Sequence, residues 1–168
     1  MNIDIRSVGD RGACVPALSD IATLGCGPGG AVEVFDFLSP VADSYPGFFQ
    51  WYFNVFQAGI ADGDRKIICK KNGRDLSAVA LLKKTPEERK ICTFYVAPKH
   101  RGRQIGTSLM IDALKWLDIE KPLITVCAER YDDILPMLRK FRFELTGQEF
   151  GMYRHNVKEF IFNGQVYH

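Results

Sequence analysis

The sequence predicts an α/β (α+β) fold, a mixed sheet with helices on its faces. Three observations carry that expectation. Residues 66–84 read as two strands around Asn72-Gly73; residues 91–128 read strand, basic loop, helix, strand; and residues 48–56 set large aromatics at helical spacing. At 168 residues the chain is long enough to bury about two thirds of its unfolded surface and short for two units, so residues 1–168 are read as a single domain.

In chain order, Ile3 and Ile5 alternate within Met1 to Val8 as in a short edge strand, and Val15, Leu18, Ile21 and Leu24 recur at helical spacing. GCGPGG at 25–30 stops that helix, because clustered glycine and proline cannot continue it. Phe48, Trp51, Tyr52, Val55 and Phe56 then line one helical face, which is either a core face or the wall of an acceptor pocket.

KIICKK (66–71) and LSAVALLKK (76–84) form a hairpin, since Asn-Gly supplies the positive φ of a tight turn. The strand ICTFYVAP (91–98) is closed by Pro98, which cannot donate to a ladder. A helix over 105–117 turns Ile105, Leu109, Ala113 and either Trp116 or Leu117 inward, and LITVCA (123–128) is short and apolar like a buried strand. A helix over 131–141 has Asp132 and Asp133 near its positive end, with Pro136 tolerated only in a first turn. Strands over 143–150 and 157–162 complete the order.

Charge and cysteine usage exclude several classes. With 22 basic and 20 acidic residues the net charge is +2, too small for a dedicated nucleic-acid binder, so the cluster Lys99, Arg101, Arg103 is a local feature. Five scattered cysteines without a CxxC pair suggest reduced thiols and no zinc site. No apolar run approaches the roughly 18 residues of a membrane span and no signal-like start is seen, which gives a cytoplasmic, membrane-free reading.

The stretch APKHRGRQIGTSLM (97–110) concentrates the chemistry. A loop that leaves a strand and enters a helix offers unpaired N–H groups at the positive end of the helix dipole, an anion site that Arg101 and Arg103 reinforce. Phosphates of a nucleotide-like ligand fit it, although neither a P-loop nor a GxGxxG dinucleotide turn is present.

Here the chain resembles the GNAT superfamily of N-acetyltransferases, whose acetyl-CoA signature [Q/R]-x-x-G-x-[G/A] compares with Arg101-Gly102-Arg103-Gln104-Ile105-Gly106, matched at its first and last positions. FYVAPKHRG before the loop, LITVCAE after the helix and RKFRFE at 139–144 extend the resemblance, in detail over residues 66–145 and by order of elements before that. It implies a mainly antiparallel sheet of about six to seven strands, splayed between the fourth and fifth. It also implies acetyl-CoA as cosubstrate, with Phe94, Tyr95 and Val96 along the pantetheine arm and Arg101, Gly102, Arg103, Gln104, Ile105, Gly106 and Thr107 around the phosphates.

The reaction so implied is direct attack of a primary amine on the thioester, with backbone groups near Phe94 to Val96 polarising its carbonyl. Glu129 is the first candidate base, and Tyr153 and Tyr131 are candidate acids for the departing thiolate. Two positions depart from the family: Gln104 stands at its inner glycine and Leu138 at its usual tyrosine. No metal is expected, because His155 has no second histidine at ligand spacing.

The acceptor is a small-molecule or protein amine. The other readings are an acyl-CoA-binding sensor or scaffold, and toxin-like acetylation of aminoacyl-tRNA, the one role left for nucleic acid. The chain acts as a monomer or a homodimer in each.

Overall fold

The computed structural model describes residues 30–164. The strand expected over residues 1–8 and the helix over 15–24 lie outside the described residues. Short helices α1 (Gly30–Phe37), α2 (Ser39–Ala42), α3 (Phe48–Gln50) and α4 (Gln57–Ala61) come first, with π-helical Trp51–Phe56 joining the last two. Strands β1 (Arg65–Asn72), β2 (Asp75–Lys84) and β3 (Arg89–Val96) follow, then α5 (Ile105–Leu117), β4 (Ile124–Cys127), α6 (Tyr131–Lys140), β5 (Leu145–Phe150) and β6 (Lys158–Phe162).

The aromatic run settles as core. Phe48, Trp51, Tyr52 and Phe56 are buried, Tyr52 and Phe56 stack with centroids 6.1 Å apart, and the Tyr52 hydroxyl donates to the Ala31 carbonyl at 2.9 Å. That bond satisfies the hydroxyl and ties the helical run to α1, so the same residues do not wall an open pocket.

The described strands form two antiparallel sheets of three, ordered β1-β2-β3 and β4-β6-β5, instead of one continuous sheet of six to seven. They meet at a single parallel bridge: Ile91 N donates to Leu123 O at 2.9 Å and Leu123 N to Arg89 O at 3.0 Å. Beyond it, β3 and β4 part. The cause lies partly in β3, where the register against β2 shifts between Leu81 and Leu82, so that Cys92 is an extra residue. Such a bulge bends its strand and reverses the side-chain alternation on one side of it.

That reversal sorts the site residues onto two faces. Phe94 and Val96 turn toward α5 and α6, while Tyr95 turns the other way and meets Phe37 of α1, ring centroids 5.4 Å apart. On the second sheet Phe160 and Phe162 pack on Tyr131 of α6, which leaves Ile161 and Glu159, with their strand partners Thr125 and Cys127, on the opposite face.

Pro136 stands inside α6, beyond the first turn expected for it. It removes one ladder hydrogen bond there, and its ring lines the cleft described below. Cys92 and Cys127 are buried and outside any disulfide, whereas Cys69 is disulfide-bonded, so the expectation of reduced thiols fails at that residue. Among the described residues no helix is long and apolar enough to cross a membrane.

Candidate active site

Where β3 leaves its neighbour, a cleft of about 340 Å³ opens between the end of that strand, the start of α5 and the length of α6. Seven residues expected around the cosubstrate line it: Phe94, Val96, Arg101, Gly102, Gln104, Gly106 and Thr107. Tyr95 does not, because it faces α1; Arg103 is exposed outside the cleft, and Ile105 is half-buried beside it. The opposite wall comes from α6 and the turn before it, with Arg130, Asp133, Ile134, Pro136, Met137 and Lys140. The sequence had given no sign of this wall, since α6 is placed there by the crossover and not by any motif.

The loop geometry explains a substitution that looked awkward. Gln104 precedes α5 with φ 63° and ψ 2°, a left-handed conformation that favours glycine. Its side chain then reaches across the cleft mouth: Lys140 Nζ donates to Gln104 Oε1 at 3.3 Å and to Thr107 Oγ1 at 3.0 Å. Gly106 is buried at the floor, and a Cβ there would stand 2.9 Å from Met137 Cε and 3.3 Å from Val96 Cγ2.

Positive groups face the cleft from both walls. Arg101 Nε donates to the Val96 carbonyl at 3.2 Å and its Nη1 to Asp133 Oδ2 at 3.3 Å; Arg130 Nη1 lies 3.8 Å from the same carboxylate. The ion pairs are half-exposed, so their attraction is screened and either arginine can exchange Asp133 for a stronger anion. His100, next to the loop, is 5 % exposed, and neither ring nitrogen has a hydrogen-bond partner.

On the α1 side of the splay the arrangement differs. Arg130 spans to it, donating from Nη2 to the Pro40 carbonyl at 3.3 Å and lying 6.0 Å from the Tyr95 ring centroid. Arg154 lies 5.3 Å from the Tyr45 ring centroid and grips Glu129 with both terminal nitrogens, Nη1 to Oε1 at 3.2 Å and Nη2 to Oε2. Hydrogen bonding from Arg154 holds the Glu129 carboxyl below the usual carboxylate range, so Glu129 is a weaker base than an unpaired carboxylate.

The two candidate acids are set apart. Tyr153 packs edge-on against Tyr45 at 6.0 Å on the α1 side, whereas Tyr131 lies over Phe160 at 4.1 Å on the α6 side. Leu138, at the position of the family tyrosine, is fully buried in the core. Among the described residues no three His, Cys, Asp or Glu side chains gather into a metal-holding group.

Comparison with known proteins gives a concordant picture. The sequence model of the acetyltransferase (GNAT) family matches residues 32–124. No curated protein matches the chain. Among solved structures, an acetyltransferase of the GNAT family from Streptococcus pneumoniae superposes with TM-score 0.61 at 10% identity, covering 84% of this chain and 95% of that one. An aminoglycoside 6'-N-acetyltransferase complexed with coenzyme A gives TM-score 0.56 at 10% identity, over 79% and 88%. Nourseothricin acetyltransferase gives 0.53 at 18% identity, over 60% and 65%, so the match spans less than two thirds of that protein.

Proposed function

The chain belongs to the GNAT acetyltransferase family, and from that premise we propose that it moves an acetyl group from acetyl-CoA to a primary amine by direct attack on the thioester. The observation that carries this reading is the cleft between α5 and α6, which opens at the splay and is flanked by Arg101, Arg130 and Lys140. The pyrophosphate of the cosubstrate takes the start of α5, where the first amide hydrogens are unpaired and the dipole is positive. Arg101 leaves Asp133 for the phosphates, and Lys140 leaves Gln104 and Thr107 for them. The coenzyme A complex of the aminoglycoside acetyltransferase, a protein of like fold, supports the choice of ligand.

The pantetheine arm follows Phe94 and Val96 into the gap between β3 and β4. Because β4 does not pair with β3 there, backbone groups at the ends of both strands border the gap, and they bind the arm and polarise the thioester carbonyl. The amine arrives from the α1 side, past Tyr95 and Arg130. Tyr153 is the preferred donor to the thiolate, since it lies on that side of the splay, and Tyr131 is the second candidate. Glu129 with Arg154 forms a charged rim that holds the acceptor, while its own basicity is lowered.

The test is thermal unfolding with and without acetyl-CoA, followed by thiol release with a panel of amines. A ligand that binds only the native state raises Tm by mass action, by about 2.7 kcal/mol of stabilisation at a hundred times its Kd. No shift at millimolar acetyl-CoA would overturn the reading. A shift without thiol release from any amine would favour the sensor or scaffold.

A further inference from the structure

The face of the splay turned away from the cleft holds more buried polar groups than packing requires. Thr125 and Cys127 of β4 and Glu159 of β6 share it, and Lys90, Thr93 and Tyr95 of β3 point to the same side. Glu159 is 0 % exposed, and neither carboxyl oxygen has a hydrogen-bond partner; Thr125 Oγ1 is likewise buried and unpartnered. Native proteins pair nearly all such atoms, and those left over cluster where a ligand or a reaction completes them. Glu159 pairs in register with Cys127, the last residue of β4, and therefore lies at the open end of the splay.

We propose that Glu159 is the acceptor-side base, which takes a proton from the ammonium group of the incoming amine on the opposite side of the splay from the acetyl-CoA cleft. This rests on the acetyltransferase reading above and names the group that prepares its second substrate. The carboxylate removes one proton, and the freed nitrogen lone pair forms the N–C bond. The C–S bond then breaks with its electron pair on sulfur, Tyr153 gives its proton to the thiolate, and the second proton of the nitrogen replaces it on Tyr153. Glu159 afterwards returns its proton to solvent, so that acetyl-CoA and RNH3+ give the amide, CoASH and H+.

The surroundings suit the role. Burial raises the Glu159 pKa to about 7, so near neutral pH a large share of the carboxyls are ionised and ready to accept a proton. Arg154 and Lys90 favour the ionised form and Glu129 opposes it. Tyr45 stays neutral, its hydroxyl held far above the usual phenol range by burial and then by the adjacent Glu159 and Cys127.

The experiment compares the full chain with Glu159→Gln and Glu159→Asp, using acetyl-CoA with cadaverine, an ammonium ion at pH 7, and with p-anisidine, already neutral there. The expected result is that Glu159→Gln lowers kcat/KM for cadaverine at least ~100-fold and removes the rise of the profile near pH 7. Glu159→Asp recovers part of the rate, the p-anisidine reaction changes less than about threefold, and the acetyl-CoA-induced rise in Tm is unchanged. An unaltered pH profile in Glu159→Gln, with acetyl-CoA binding intact, would overturn this assignment alone. Failure of the parent chain to bind acetyl-CoA or release thiol would overturn the acetyltransferase reading and this assignment together.

Discussion

On the α5 and α6 side of β3 the polar side chains are exposed or half-exposed and satisfy one another across the cleft, Arg101 with Asp133 and Lys140 with Gln104 and Thr107. On the α1 side, behind the exposed pair Glu129–Arg154, the polar side chains of β4 and β6 are withdrawn from water, and Thr125 and Glu159 have no partner for their buried oxygens. A polyanionic ligand needs charges that can swap partners cheaply, and solvated pairs provide that. An amine that must lose a proton needs a group whose protonation is set by burial, and only the dry side provides that. In the proposed reaction that difference divides binding from proton transfer between two faces of one strand.

The largest effect that would break this division is on the cleft side. Gly106→Val places branched carbons against Met137 and Val96 at the floor of the cleft, where even a Cβ is tight. It should abolish the acetyl-CoA-induced Tm shift, a loss of roughly 100-fold or more in affinity, equivalent to about 2.7 kcal/mol. Retention of normal binding would place the cosubstrate elsewhere.

On the dry side the counterpart is a dependence of stability on pH. Glu159 titrates near 4.5 when unfolded and at about 7 when folded, so its protonated form is favoured by folding. Its stabilisation is complete below about pH 4.5 and is lost as pH rises through 7, on the order of 3 kcal/mol in all. Urea melts of the parent chain and Glu159→Gln at pH 5 and pH 8 should show a steeper loss in the parent. Parallel behaviour would mean that the carboxyl is not dry.

Leu138→Tyr tests whether the family's acid can be restored from α6. Leu138 is fully buried, so the larger phenol should overpack the core and cost about 1–3 kcal/mol, seen as a lower Tm with no gain in turnover. A faster enzyme of unchanged stability would shift the alignment of α6 with the family. Arg101→Ala removes one of the partner-swapping charges, and acetyl-CoA binding should weaken about tenfold at low salt and less at high salt. Calorimetric titration at two ionic strengths measures both.

The smallest effect sharpens the loop. Gln104→Gly relieves a left-handed residue but adds chain entropy to the unfolded state, so a net gain of about 1 kcal/mol or less is expected, worth a few degrees in Tm. It also frees Lys140, so acetyl-CoA should bind slightly tighter. Weaker binding would mean that the Gln104 side chain itself donates to the ligand.

Much of this was legible in order and little of it in depth. The hairpin at Asn72-Gly73, the helix of residues 105–117 and the basic loop between strand and helix follow from local chemistry, because turn residues and helical periodicity act over a few positions. That the loop residues gather at a helix N-terminus was therefore readable from APKHRGRQIGTSLM alone. What the sequence could not supply was the far wall of the cleft. Met137 and Lys140 meet Gly106 and Gln104 only through the crossover that lays α6 beside α5.

The sequence by itself determined most elements from residue 66 onward, the basic loop between strand and helix, and the family resemblance. Tertiary structure alone decided that Glu129 is paired with Arg154, that Tyr95 faces away from the cleft, and that Glu159 rather than an exposed carboxylate is the dry one. The physical reason is that local preferences depend on neighbours in the chain, whereas desolvation and pairing depend on neighbours in space. Here the bulge at Cys92 and the single bridge at Leu123 set which face of the splay each of those side chains meets.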